Sequence, residues 1–233
     1  MNLMFRFRLL LDFVALSLII ACLAYWWLEN FAHEVFGMVL FTLVIGHNVF
    51  NRLWYGRVAR GKYDGVRWLN IITIAVLKLV MTIMLVTSVL ISRDLFTFLA
   101  LDGAFAMREV HMFAAYWLLF IVSVHLGTRW GVIMNTCRAV FGIRDANPVC
   151  TWSLRLAATA VSLWGIKSWA EMTFGSKLVL TYSLDMWDFN ESTLGFFLNY
   201  GAIVGLLAAA THYSLAFIRG GARPTVKTTI SSK

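Results

Sequence analysis

Long apolar runs separated by short polar stretches dominate this chain. Six runs are long enough to cross a bilayer, at 9–28, 33–53, 70–91, 109–131, 154–173 and 194–218. About 20 apolar residues rising about 1.5 Å each cover a hydrocarbon core of about 30 Å as one helix. No soluble domain fits between the runs. The expected fold class is all-α, a polytopic membrane helix bundle with six transmembrane helices.

Composition agrees with the pattern. Of 233 residues, 60% are hydrophobic and 14% charged, and the mean hydropathy is +0.75. Soluble domains carry about 25% charged residues. The net charge of +8 raises nucleic acid as a partner, but the basic residues fall between the apolar runs and read better as topology determinants, so no nucleic-acid partner is expected. Arg6 and Arg8 precede the first run. Arg52, Arg57, Arg60, Lys62 and Arg67 follow the second. Arg129, Arg138, Arg144 and Arg155 follow the fourth, and Arg219, Arg223, Lys227 and Lys233 follow the sixth. The opposite side carries only Arg93, Arg108 and Lys177, together with Glu29, Glu34, Asp94, Asp102, Glu109, Glu171, Asp185, Asp188 and Glu191. Basic loops remain cytoplasmic, so both termini are expected inside a bacterial inner membrane. A five-span arrangement would put one of the last basic segments outside. The first run lacks a nearby small-residue cleavage site and reads as a retained helix. Cys22, Cys137 and Cys150 form no CxxCH, which excludes the usual covalent haem attachment; Cys137 and Cys150 are expected as free thiols.

The candidate chemistry lies in four histidines. His33 and His47 are 14 residues apart on the second run, and so are His111 and His125 on the fourth. Fourteen helical steps of about 100° return to within roughly 40° of the start. Each pair therefore shares a helix face, its members about 21 Å apart along the axis. Both runs go from outside to inside in this topology, so His33 matches His111 near the outer surface and His47 matches His125 near the inner one. Two facing helices of this kind can hold two b haems, one imidazole from each helix on each iron. Gly37, Gly46, Ala114, Ala115, Ser123 and Gly127 are small enough to admit a flat macrocycle. Arg108 suits the outer propionates; Arg52 and Arg129 suit the inner ones. The plainer reading is that the histidines only form interhelical hydrogen bonds, but four at equal gaps on two co-directional spans favour ligation. Zinc is disfavoured, since each depth supplies only two ligands.

The segments "HEVFGMVLFTLVIGHNVFNRLWYGR" and "REVHMFAAYWLLFIVSVHLGTRW" resemble the small bacterial di-haem membrane cytochromes b. They are most similar to an uncharacterised-function group within the cytochrome b and ferric-reductase-like superfamily. The resemblance covers about residues 5–135. It implies a four-helix haem-binding core within 1–135, with His33, His47, His111 and His125 as axial ligands. The remainder, 136–233, adds an inner loop, two further spans and a basic tail. The histidine spacing differs from that of hydrogenase and formate dehydrogenase cytochrome b subunits.

Other polar residues inside spans are candidates for proton or quinone traffic: His212, Lys78 and Asp12, with an Asp12–Lys78 pair open. Lys167 can face haem or a wet cleft. The stretch 174–192 can cover the outer haem, dock a basic partner such as a soluble cytochrome, or lie at the interface with Trp187 as its anchor. No GxGxxG or P-loop is present, so nicotinamide or flavin chemistry would come from another chain. The leading expectation is transmembrane electron transfer, as a cytochrome b subunit or partner-dependent carrier linked to quinone or a periplasmic redox protein. A stand-alone membrane reductase or oxidase acting on quinone, ferric iron, superoxide or oxygen is the second. A non-redox membrane scaffold or haem-transfer protein is the third.

Overall fold

The computed structural model describes residues 3–58, 64–140, 142, 148–179 and 187–221. Arg60, Lys62, Arg144, Arg223, Lys227, Lys233 and Asp185 lie outside the described residues. Those described form eight helices: α1 (Leu3–Leu23), α2 (Tyr25–Phe50), α3 (Arg52–Val58), α4 (Gly65–Ile91), α5 (Phe105–Val140), α6 (Pro148–Glu171), α7 (Phe174–Lys177) and α8 (Phe189–Gly221), with one 3₁₀ turn at Thr97–Leu99. Among the described residues there is no strand. α2, α4, α5, α6 and α8 are long and apolar enough to cross a membrane. The chain thus has the character of an all-helical membrane protein. α1 is also long, but Arg6, Arg8 and Asp12 crowd its first half.

Each boundary has a local cause. Asp64 caps α4 by accepting the Arg67 amide at 2.7 Å, satisfying one of the unpaired donors of a helix start. The membrane-length part of α8 begins after Ser192, whose backbone is non-helical and whose Oγ accepts the Gly195 amide at 3.0 Å. α1 and α2 are separated only by Ala24, and a second break follows at Glu29, where φ is +60° and ψ 176°. That region is costly for any residue with a Cβ. The uninterrupted helix carrying the first histidine pair therefore starts at Asn30. α5 overruns its expected span of 109–131 at both ends, because its polar termini continue the helix beyond the apolar run.

α5 is the central post. It packs closely along α4 on one side and α8 on another, with a smaller contact to α1; α6 packs on the far side of α8, and α2 packs along α1. Its buried residues include His111, Ala114, Leu118, Leu119, Ile121 and Ser123. Large apolar side chains elsewhere face outward, among them Leu79, Leu163 and Phe217, as a lipid environment allows. Without a strong hydrophobic drive in lipid, helix association depends on close approach through small residues. A Cβ at Gly165 of α6 would lie 2.5 Å from the Ala202 carbonyl oxygen of α8. Gly165→Leu is therefore expected to destabilise the α6–α8 contact by about 1–3 kcal/mol. Gly201→Ala, which meets nothing within 4 Å, should cost nothing. Detergent unfolding midpoints of the two variants check this, and equal midpoints would refute the close-packing account.

Candidate functional site

α2 and α5 make at most slight backbone contact, yet their histidines meet. The His33 and His111 ring centroids are 6.2 Å apart, with planes at 67°. At the other end, His125 lies within electrostatic reach of His47 and Asp12. The chain thus places His33 against His111 and sets His125 within electrostatic reach of His47, each member of a pair coming from a different helix.

Two of the four rings are held by hydrogen bonds that fix their tautomer. Asp12 Oδ1 of α1 lies 2.6 Å from His47 Nδ1. A carboxylate only accepts, so Nδ1 donates, and in the neutral ring Nε2 carries the lone pair. Thr87 Oγ1 of α4 lies 2.9 Å from His111 Nδ1. With the Thr87 hydroxyl donating to the Ile83 carbonyl at 2.7 Å, it accepts from His111 Nδ1–H, and Nε2 of the neutral His111 ring carries the lone pair. Nδ1 of His125 is buried without a hydrogen-bond partner, whereas His33 lies within reach of the Cys22 carbonyl. An unpaired buried polar nitrogen costs about 1–3 kcal/mol, which a bound metal, ligand or water would relieve. Tyr25 packs edge-on against His33, centroids 5.2 Å apart.

An anchored Nδ1–H with a free Nε2 is the usual state of a metal-binding imidazole. At metal–nitrogen distances of about 2.0 Å, two imidazoles on opposite sides of one ion have centroids about 6 Å apart. The outer pair has that separation. Among the described residues no three His, Cys, Asp or Glu converge, so each level offers two such ligands.

Glu34, next to His33, ties α2 to the connection after α4. Its carboxylate accepts from Ser92 Oγ (2.7 Å), the Arg93 amide (2.7 Å), the Leu95 amide (2.8 Å) and Asn30 Nδ2 (2.8 Å). In the sequence Glu34 stood out as one of several outer acids and as the second residue of the His33–Glu34 motif shared in the resemblance, with no structural role assigned. Thr87 carried no signal there at all, because the register of α4 against α5 is not written in either helix alone.

The remaining candidates divide. Gly37 and Gly46 have nothing within 4 Å of an added Cβ, and Gly37 lies one turn from His33 on the same face. Gly127 does not open that space. Its missing Cβ admits α8, since one there would lie 2.5 Å from the Ala208 carbonyl oxygen. Arg129 borders a cavity of about 500 Å³ shared with Trp54, Asp64, Arg67 and Asn70. The Oδ1 of Asn70 is buried and unpartnered. Arg108 is exposed in the first turns of α5, and Arg52 is exposed at the start of α3. An Asp12–Lys78 pair does not form: Asp12 binds His47, and the Lys78 ammonium sits 4.0 Å over the Tyr55 ring. Lys167 makes an exposed pair with Glu171 at 3.2 Å, one helical turn away on its own helix, rather than facing the histidines. His212 packs against the ring of its neighbour Tyr213.

In the 174–192 stretch, Phe174 is fully buried against Trp169, and the Leu178 carbonyl accepts from Trp117 Nε1 at 3.1 Å. This stretch begins by folding onto α5 and α6. Residues 180–186, on which a covering or docking role would rest, lie outside the described residues. Trp187 donates to the Ser192 carbonyl at 2.6 Å and packs on Phe196, within the start of α8. Cys22, Cys137 and Cys150 are free thiols.

No protein-family model, no curated protein and no solved structure matches this chain.

Proposed function

We propose that this chain is a six-pass di-haem cytochrome b that carries electrons across a bacterial inner membrane. In this reading α1 is the sixth span and both termini are cytoplasmic, following the bias of basic loops. The resemblance to small bacterial membrane cytochromes b belongs to the same proposal. The observation that carries it is the meeting of His33 and His111 at 6.2 Å between two helices that do not pack closely along each other.

His33 and His111 would be the outer axial ligands, and His47 and His125 the inner ones. Thr87 and Asp12 hold His111 and His47 in the tautomer that presents Nε2 to a metal. Gly37 and Gly46 leave room beside α2. Arg129 stands near His125, where a guanidinium can meet a propionate; Arg108 and Arg52 are the further candidates for that role. When bound, b haem supplies a reversible one-electron couple. The residues contribute position, ligation and a water-poor setting. Two levels about 21 Å apart along the helix rise divide the membrane crossing into shorter electron steps. Electron exchange with quinone or a redox protein on either side completes the reading.

The test is the absorption spectrum of the purified chain with a haem-to-protein ratio. Two haems per polypeptide and a low-spin bis-imidazole spectrum are expected. Protein free of haem after expression with ample haem supply would overturn the proposal.

A further inference from the structure

We infer that the two proposed haem levels differ in potential, and that Asp12 makes the His47–His125 level the lower one. The inference rests on the haem reading above. Its basis is an asymmetry in what the ligand rings touch. At the inner level, His47 Nδ1–H donates to a carboxylate oxygen of Asp12 at 2.6 Å. At the outer level, His111 Nδ1–H donates to a neutral hydroxyl, Thr87, at 2.9 Å. A carboxylate is the stronger acceptor. It draws the Nδ1 proton, raises the basicity of Nε2 and increases electron donation to a bound metal, which favours the oxidised state.

Other charges near the two levels do not hydrogen-bond a ligand ring. Glu34 is beside His33 and its charge reaches that ring, but its oxygens bond Asn30 and the Ser92–Leu95 turn rather than the imidazole. Arg129 stands near His125 and opposes Asp12. Its positive charge acts on His125 and offsets part of the Asp12 effect, but it does not bond a ligand ring as Asp12 does. Asp12 is the carboxylate in contact with a histidine of the set. An electron is then held less tightly at the His47 level, and its downhill direction is towards the His111 level. In that exchange the inner site is oxidised and the outer site reduced by the same electron, with no proton or further reactant. In the proposed topology this runs from the cytoplasmic to the outer side, fed by a reduced flavin or quinol inside and drained by an oxidised redox protein outside.

The experiment is an optical redox titration of the purified holoprotein. The wild type should resolve two midpoints. Asp12→Asn keeps the size of the side chain and removes its charge. It should raise the lower midpoint, leave the upper one in place and narrow the separation. His47→Ala should leave one haem, titrating at the upper midpoint. Thr87→Val should move the upper midpoint and spare the lower. If Asp12→Asn leaves both midpoints in place, or moves the upper one, the inference is overturned. So it is if the haem surviving in His47→Ala titrates at the lower value. Should Asp12→Asn lose a haem outright, His47→Ala still decides the order. Absence of haem from the wild type would sink the electron-carrier reading itself, whereas haem present with the order reversed sinks only this inference.

Discussion

His111→Ala is expected to lower the haem content from two per chain to one. The remaining haem should keep its low-spin spectrum. His111 is the most anchored ligand of the outer pair: it is 8% exposed, sits on the central helix and is held by Thr87. No other His, Cys, Asp or Glu converges with the pair among the described residues to replace it. His33→Ala should remove the same haem, and the double variant His33→Ala/His111→Ala should be no worse than either single one. Groups that act as one unit are non-additive in this way. His125→Ala and His47→Ala should instead remove the other haem. Combining His33→Ala with His125→Ala should empty both levels. The pattern is read from haem-to-protein ratios and from which redox midpoint disappears. If His33→Ala and His125→Ala removed the same haem, the helices would be paired in the opposite sense and the topology would be wrong. Altering only a supporting contact such as Thr87→Val should have a milder effect, on the order of 10- to 100-fold in affinity.

How much of this was legible beforehand follows from the range over which each signal acts. Histidine spacing is a property of one helix, and helix geometry converts 14 residues into a shared face without knowledge of any neighbour. Apolar runs are local in the same way, and the long helices lie near the expected spans. Their ends were less legible. Glu29 with its positive φ, Ser192 as a cap, and the polar extensions of α5 are decided by backbone hydrogen bonding rather than by hydropathy. What one helix does to another was not legible. Gly127 read as room for a ring between α2 and α5, but helix rotation points it at Ala208 of α8. Asp12 read as a partner for Lys78 because buried charges need opposite charges. A histidine on an adjacent helix at the same depth was an equally good partner, and nothing in either segment alone chose between them. The basic-loop pattern bears on all loops at once, because each loop's charge addresses the same two-sided question, and from it came the depths at which the histidines were matched.

Glu34→Ala is expected to release the outer end of α2 from the α4–α5 connection and to loosen the His33–His111 pair without touching either ring. The carboxylate accepts from Ser92, Arg93, Leu95 and Asn30 at 2.7–2.8 Å. Hydrogen bonds to a charged group contribute about 1.5–3 kcal/mol each when sheltered. Glu34 is only half-buried, and the four donors become partly hydrated when it is lost. A net cost of about 2–4 kcal/mol is therefore the reasonable scale. Little else holds α2 near α4 and α5: its main packing partner is α1, and its backbone contact with the other two is at most slight. The effect should be local, because the inner pair keeps Asp12 on His47 at 2.6 Å. The outer haem should become substoichiometric and be released first on warming, while the inner haem stays bound. Glu34→Gln should fall between the wild type and alanine, since an amide oxygen can still accept from the turn but without charge. Haem release followed by absorbance during a temperature ramp separates these outcomes. Equal loss from both levels in Glu34→Ala would mean that the carboxylate supports the whole bundle rather than the register of α2 at one end. No change at all would mean that the turn after α4 does not position His33.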